Sequence, residues 1–245
     1  MPTVFPEVPL LSIPATDWSG YSCIRTVSSF DALTATAFAG DVNAVCWPRR
    51  LQGDFADVLR ALGPGEGMVA LDEAQLLALS LSAEGKLAVH EMISDLQRLQ
   101  SLGLDPVLNA IYRGYRDGRG GAVAADVYSW HVDSAPVEAD TWLCTYHGTC
   151  SEGLPREDAR LKVNLPEIRA TLLQEYGGRD DAGFREYLED NSYHLHFAAV
   201  QAARPWSFGV GNLWRIAAQW PDSPVPACVH RAPDEGGEPR LLLIS

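Results

Sequence analysis

The chain has 245 residues, 47% hydrophobic and 21% charged, an ordinary globular composition with length for one large domain or two small ones. Its net charge of −13 argues against nucleic acid and anionic membranes as partners. The one basic run, "WPRR" at residues 47–50, reads as a solvated turn and does not reverse that sign. No apolar run approaches the roughly eighteen residues of a membrane-spanning helix.

The first eighteen residues carry four prolines and no basic start, so they read as an extended arm and not as a secretory signal. Cys23, Cys46, Cys144, Cys150 and Cys228 form an odd, widely spaced set without a C-x-x-C motif. That pattern suits reduced thiols and a cytoplasmic location.

Residues 29–101 read as helical. "SSFDALTATAFAG" opens on Ser and closes on Gly, and "GDFADVLRALG" repeats that logic. The run from Leu71 to Gly103 has apolar residues at three-to-four spacing, with Gly85 as a candidate break. His90 lies here and reads as a surface or core-edge residue.

From about 105 the texture changes. Segments 105–117, 122–133 and 141–148 are short, rich in Val, Tyr, Trp and Thr, and punctuated by Gly, Asp and Pro, which marks strands. A helical insertion at about 155–191 interrupts them. Strand-like runs return with "YHLHFAAV", "WSFGVGNLWRIAAQW", "PACVHRAP" and "EPRLLLIS". Clustered strands favour an α+β fold: a β core at 105–245 with a helical N-terminal region, 1–104, packed on it.

Two stretches carry candidate chemistry. "YSWHVDSAP" places His131 and Asp133 at i and i+2, on one face of a strand. "CVHRAPDEGGEPRLLLIS" places His230 and Arg240 on two strands joined by a turn. Two histidines and one carboxylate form the facial set of non-haem Fe(II) oxygenases, which leaves positions for a bidentate acid and for O₂. Arg240 would be the fork for the far carboxylate of that acid, or else a salt bridge to Glu235 or Glu238.

His131, Asp133, His230 and Arg240 resemble, in order and spacing, the pattern of Fe(II)/2-oxoglutarate dioxygenases over residues 120–245. That resemblance implies a double-stranded β-helix (jelly-roll or cupin-like) core, Fe(II) as metal and 2-oxoglutarate as co-substrate. It also implies oxidation of a small-molecule or peptide substrate. One departure is Leu242, which stands two positions after the basic residue where such enzymes often carry a hydroxyl; another acid, or none, is the alternative. "WHVD", "CTYHGTCSEGLP" and the "VHRAP…PRLLLIS" run also resemble a bacterial family designated domain of unknown function 1826, which carries no assigned chemistry. Here Cys150 and Ser151 stand near the Gly and Thr of that family's pattern.

Other residues have two readings each. Tyr146, in "CTYHG", either donates to a bound carboxylate or packs in the core; His147 takes the other strand face. Cys144 and Cys228, if near the triad, would favour Zn²⁺ and a non-catalytic role in metal storage, delivery or structure. His194 and His196 repeat the i, i+2 geometry without a carboxylate and read as a plain strand pair. Trp206, Trp214 and Trp220 read chiefly as core. "GVGN" opens no helix and is not a dinucleotide loop.

Overall fold

A computed structural model describes residues 17–112, 123–233 and 238–245. The expected N-terminal arm, and Glu235 as a partner for Arg240, lie outside the described residues.

The N-terminal helices start on capping residues, but the first stops at Ala35, with Thr36 as its C-cap, and does not run on to Gly40. Ser29 caps α1 (Phe30–Ala35) by accepting from the Ala32 amide, and Asp54 caps α2 (Phe55–Leu62) by accepting from the Asp57 amide. A reciprocal Asp72–Gln75 capping box starts α3 (Glu73–Leu77). The long run does break, but not at Gly85. Ser82 caps a new helix, α4 (Ala83–Ser101), and Gly85 sits inside its first turn. The glycine there serves packing: a Cβ would lie 2.3 Å from Asp57 Oδ2.

The N-terminal region is not only helical. It contributes β1 (Ile24–Thr26), β2 (Ala44–Trp47) and β3 (Met68–Leu71). These join β4 (Val107–Ile111), β5 (Asp140–His147), β10 (Leu213–Ala217) and β12 (Arg240–Ile244) in a seven-stranded sheet ordered β1-β2-β10-β5-β12-β4-β3. Only β1 and β2 pair in parallel.

Side-chain alternation divides this sheet cleanly. Val45, Leu108, Ala110, Trp142, Cys144, Tyr146, Leu213, Leu241 and Leu243 face one way and form a core with Leu33, Val58, Leu76, Met92 and Leu99 of the helices. Residues one place along, including Cys46, Leu143, Trp214, Ile216 and Leu242, face the other way and pack on Trp206, Phe208 and Cys228. Each fully buried Leu or Val here contributes about 1.5–3 kcal/mol of transfer energy. Trp206 and Trp214 therefore fill core, as expected.

The opposing layer contains β6 (Glu152–Leu154), β9 (Trp206–Ser207) and β11 (Val229–Arg231), ordered β11-β6-β9. Single bridges extend it. His230 pairs with His131, and His131 pairs with His196, next to β8 (Phe197–Ala199) and its partner β7 (Ala159–Leu161). The insertion holds β7 and two helices, α5 (Pro166–Tyr176) and α6 (Ala182–Asp190). "YHLHF" is not one strand: Tyr193–Leu195 is a 3-10 turn, and β8 begins only at Phe197. The molecule is thus a mixed α+β fold built on a large sheet, and no helix among the described residues is long and apolar enough to cross a membrane.

Candidate metal centre

The short run His131–Ser134 is pinned along its length by backbone bonds. The His131 and His230 amides each donate to the other's carbonyl at 2.9 Å. The Val132 amide donates to Leu195 O at 3.0 Å, and the Gln219 amide donates to Asp133 O at 2.7 Å. Both flanks are held, so the run's side chains have fixed directions.

His131, Asp133 and His230 come together. Among the described residues they are the one group of three metal-ligating side chains whose donor atoms all lie within 4.8 Å of one another. His131 Nε2 lies 3.8 Å from Asp133 Oδ1, and His230 Nε2 lies 3.5 Å from Asp133 Oδ2. Those distances are too long for hydrogen bonds. They are close to the spacing of neighbouring ligands on a metal with bonds of about 2.1 Å, roughly 3.0–3.5 Å.

The tautomers agree with ligation. His131 Nδ1 lies 2.8 Å from Ser129 O, and His230 Nδ1 lies 3.2 Å from Cys228 O. A carbonyl only accepts, so each Nδ1 carries a proton, and Nε2 is the ring nitrogen on the side of Asp133. Burial, reinforced by His230, pushes His131 down to about 4, which keeps it neutral. Burial alone would raise Asp133. The adjoining His230, the Thr141 hydroxyl that donates to it at 2.5 Å, and His131 outweigh that and hold it below the usual carboxylate range. Two imidazoles and one carboxylate are a donor set that fits a divalent metal.

The three ligands line one wall of a cavity of about 750 Å³. The facing wall is the inner face of the large sheet, with Asn109, Thr141, Leu143, Leu242 and Arg240. Arg240 opens β12 and is only 8% exposed. Its Nη2 donates to Ser151 Oγ at 3.3 Å, and its Nε has no hydrogen-bond partner. Among the described residues it pairs with no carboxylate. Glu238, one candidate partner, bonds His147 Nε2 at 3.0 Å instead. Burial depresses Arg240 from its ordinary value, against the opposing influence of Cys150 and Tyr128. Gly148 admits its stem: at φ 86 a Cβ would sit 2.8 Å from Arg240 Cγ.

Tyr146 is not part of this site. It lies on the opposite face of β5, fully buried among the helices, and its hydroxyl donates to Asp95 Oδ2 at 2.9 Å. The cause is strand parity, because Thr141 and Leu143 face the cavity and Tyr146 is an odd number of residues from both. Cys144 shares Tyr146's face, where Arg49 Nη2 donates to its sulfur at 3.4 Å and burial pushes the thiol up to about 12. Cys228 is fully buried and burial holds it protonated, well above the usual thiol range. Neither thiol joins the donor group. His196 is buried beside His131, ring centroids 5.8 Å apart, and is pushed down to about 4 by burial and then by His131. His194 Nδ1 lies 3.3 Å from Leu188 O. Neither belongs to the donor group. His90 is exposed, as expected.

Arg49 corrects a further expectation. It is no solvated turn residue: its side chain is 6% exposed and grips Asp95 with two bonds of 2.6 and 2.7 Å. Two contributors to the cavity escaped the sequence reading. Ser151 comes from the neighbouring strand layer. The turn Asp190–Tyr193, at the end of α6, closes one side, with Ser192 in the left-handed region at φ 58. No family model, no curated protein and no solved structure matches the chain.

Proposed function

We propose that the protein is a mononuclear non-haem Fe(II) oxygenase that uses 2-oxoglutarate as co-substrate. The observation that carries this is Arg240, a buried guanidinium without a carboxylate partner among the described residues, in one cavity with a His–Asp–His group. A buried unpaired cation is costly, so it marks a place where an anion binds.

The strand order supports a double-stranded β-helix. One layer runs β10-β5-β12-β4, the other runs β9-β6-β11 and then the His131 bridge. The chain crosses between the two layers at each step from β9 to β12, which favours that reading. The first two ligands enter on the segment after β4, and the third sits on β11 beside it, so backbone pairing alone brings them together.

In this reading His131, Asp133 and His230 hold the metal on one side. Held there, the metal would supply O₂ activation coupled to oxidative decarboxylation of the 2-oxo acid. Arg240 grips the distal carboxylate, and Ser151 provides the hydroxyl that Leu242 lacks. Leu242 and Leu143 line the same cavity and would exclude water from a bound acid. Thr141 holds Asp133 so that one oxygen stays directed at the metal. The five cysteines are free, in keeping with a reducing compartment, and we place the protein in the cytoplasm.

Elemental analysis of protein purified without a polyhistidine tag or chelator tests the metal. One iron per chain is expected, falling to background in His131→Ala and Asp133→Ala. Stoichiometric zinc that survives exchange with Fe(II) would replace the oxygenase by a zinc-binding protein. Full metal content in His131→Ala would remove the triad.

A further inference from the structure

Beyond Arg240 and the triad, the cavity has a second half. Val107 and Ile244 face each other across β4 and β12, and Ile244 also pairs with Leu143 of β5. Leu143 is two residues from Thr141, whose hydroxyl holds Asp133, so this apolar strip starts beside the metal ligands. Val107 and Ile244 are exposed, and so are Val127 and Met68 on the same lining. Four large apolar side chains open to water around one cavity exceed what scattered surface hydrophobes account for.

Among the described residues the charge of this half is one-sided: apart from Arg240 and the ligands, the charged residues lining it are Asp126 and Asp190. Asp126 already spends Oδ1 on the Tyr128 and Ser129 amides, at 3.1 and 3.0 Å. Asp190 has no such duty. It is the last residue of α6, whose final turn carries no basic residue, so its charge opposes the helix dipole. No hydrogen bond or ion pair within the described residues offsets that cost. Asp190 thus stands at the rim of an apolar cavity with its carboxylate open to whatever enters.

Resting on the metal-centre reading above, we propose that the substrate is an apolar molecule bearing a cationic group, a protonated amine or a guanidinium. Its apolar body lies on the Val107–Ile244–Leu143 strip, next to the metal, and its charge faces Asp190. The net charge of −13 steers cations toward this mouth and anions away from it. A cavity of about 750 Å³ lies within the range that holds a drug-sized ligand, so it has room for more than a five-carbon acid.

The test compares phenethylamine with 2-phenylethanol, which match in shape and differ in charge, by saturation-transfer NMR titration. The amine is expected to bind about threefold tighter than the alcohol. Asp190→Asn should erase that ratio and leave the alcohol unchanged. Val107→Ser should weaken both by about fivefold. Both positions are exposed, and circular dichroism verifies the fold of each variant. Equal binding of the two probes, a ratio that survives Asp190→Asn, indifference to Val107→Ser, or no saturable binding of either probe would each overturn the proposal. Mn(II) titration of the same samples reads the triad separately. Bound Mn(II) with failed probes removes the substrate class alone. Probe binding without any Mn(II) removes the metal centre and, with it, the assignment of the probe site as a substrate site.

Discussion

Two buried arginines lie on opposite faces of the same sheet, and their surroundings differ in kind. Arg49 meets a full set of partners. Asp95, itself fully buried, takes two bonds from Arg49, one from Arg98 at 2.8 Å and one from the Tyr146 hydroxyl. Gly211 O accepts from Arg49 Nε at 3.0 Å, and the Cys144 sulfur takes a further contact. Among the described residues Arg240 has one long bond to a serine and an orphaned Nε. The first arrangement is complete without a ligand and ties β2, α4 and β5 together. The second is incomplete, and it opens on a cavity that already holds three metal-ligating side chains. Of the two, the satisfied arginine ties the fold together and the unsatisfied one stands in the candidate site.

The comparison breaks most visibly at Asp95. Asp95→Ala strands Arg49 in the core and should cost about 3–5 kcal/mol in urea denaturation. It should also leave the metal affinity of the folded fraction unchanged. Arg240→Leu should do the opposite. It should weaken 2-oxoglutarate by roughly 30- to 1,000-fold, equivalent to about 2–4 kcal/mol. Stability should hold or rise, because a buried unpaired charge has been removed. If Arg240→Leu unfolds the protein while 2-oxoglutarate binding is unaffected, the two arginines have the same structural job.

Single hydroxyls sharpen the contrast. Tyr146→Phe removes one donor from Asp95 and should cost about 1–3 kcal/mol of stability with no change in 2-oxoglutarate affinity. Ser151→Ala should weaken 2-oxoglutarate by about three- to tenfold, roughly 0.7–1.4 kcal/mol, and barely move the denaturation midpoint. An effect of Tyr146→Phe on co-substrate binding would restore that residue to the site. The smallest effect belongs to His194→Gln with His196→Gln. Metal content should stay at one per chain, because neither imidazole is within reach of the donor group. A fall from two ions to one would replace the mononuclear centre.

The same contrast explains what the sequence disclosed. His131, Asp133, His230 and Arg240 were legible because each stands in a short local pattern: a same-face pair, or a strand end beside a turn. Ser151 was not, because the hydroxyl was sought two residues along Arg240's own strand, where Leu242 stands. It arrives instead from the chain beyond Gly148, a contact 89 residues apart in sequence. Tyr146 keeps two readings in the sequence, co-substrate binding and packing, because alternation alone gives two faces without saying which is inner. Arg49 was read as solvated because its partner, Asp95, lies 46 residues away on α4. β1, β2 and β3 escaped because three- and four-residue strands between capped helices carry too little period to stand out. The start of α1 is legible, since an N-cap is decided within four residues, as Ser29 shows; its end is not, because the helix stops at Ala35 with Thr36 as C-cap and not at Gly40.

The most direct measurement is anaerobic calorimetric titration of 2-oxoglutarate into three samples: Fe(II)-loaded protein, metal-free protein and Fe(II)-loaded Arg240→Leu. If the metal group and Arg240 grip one molecule from its two ends, binding should be tight only in the first sample. It should be weakened at least about 30-fold in each of the others, on the order of 2 kcal/mol. Equal affinity in all three would contradict the account.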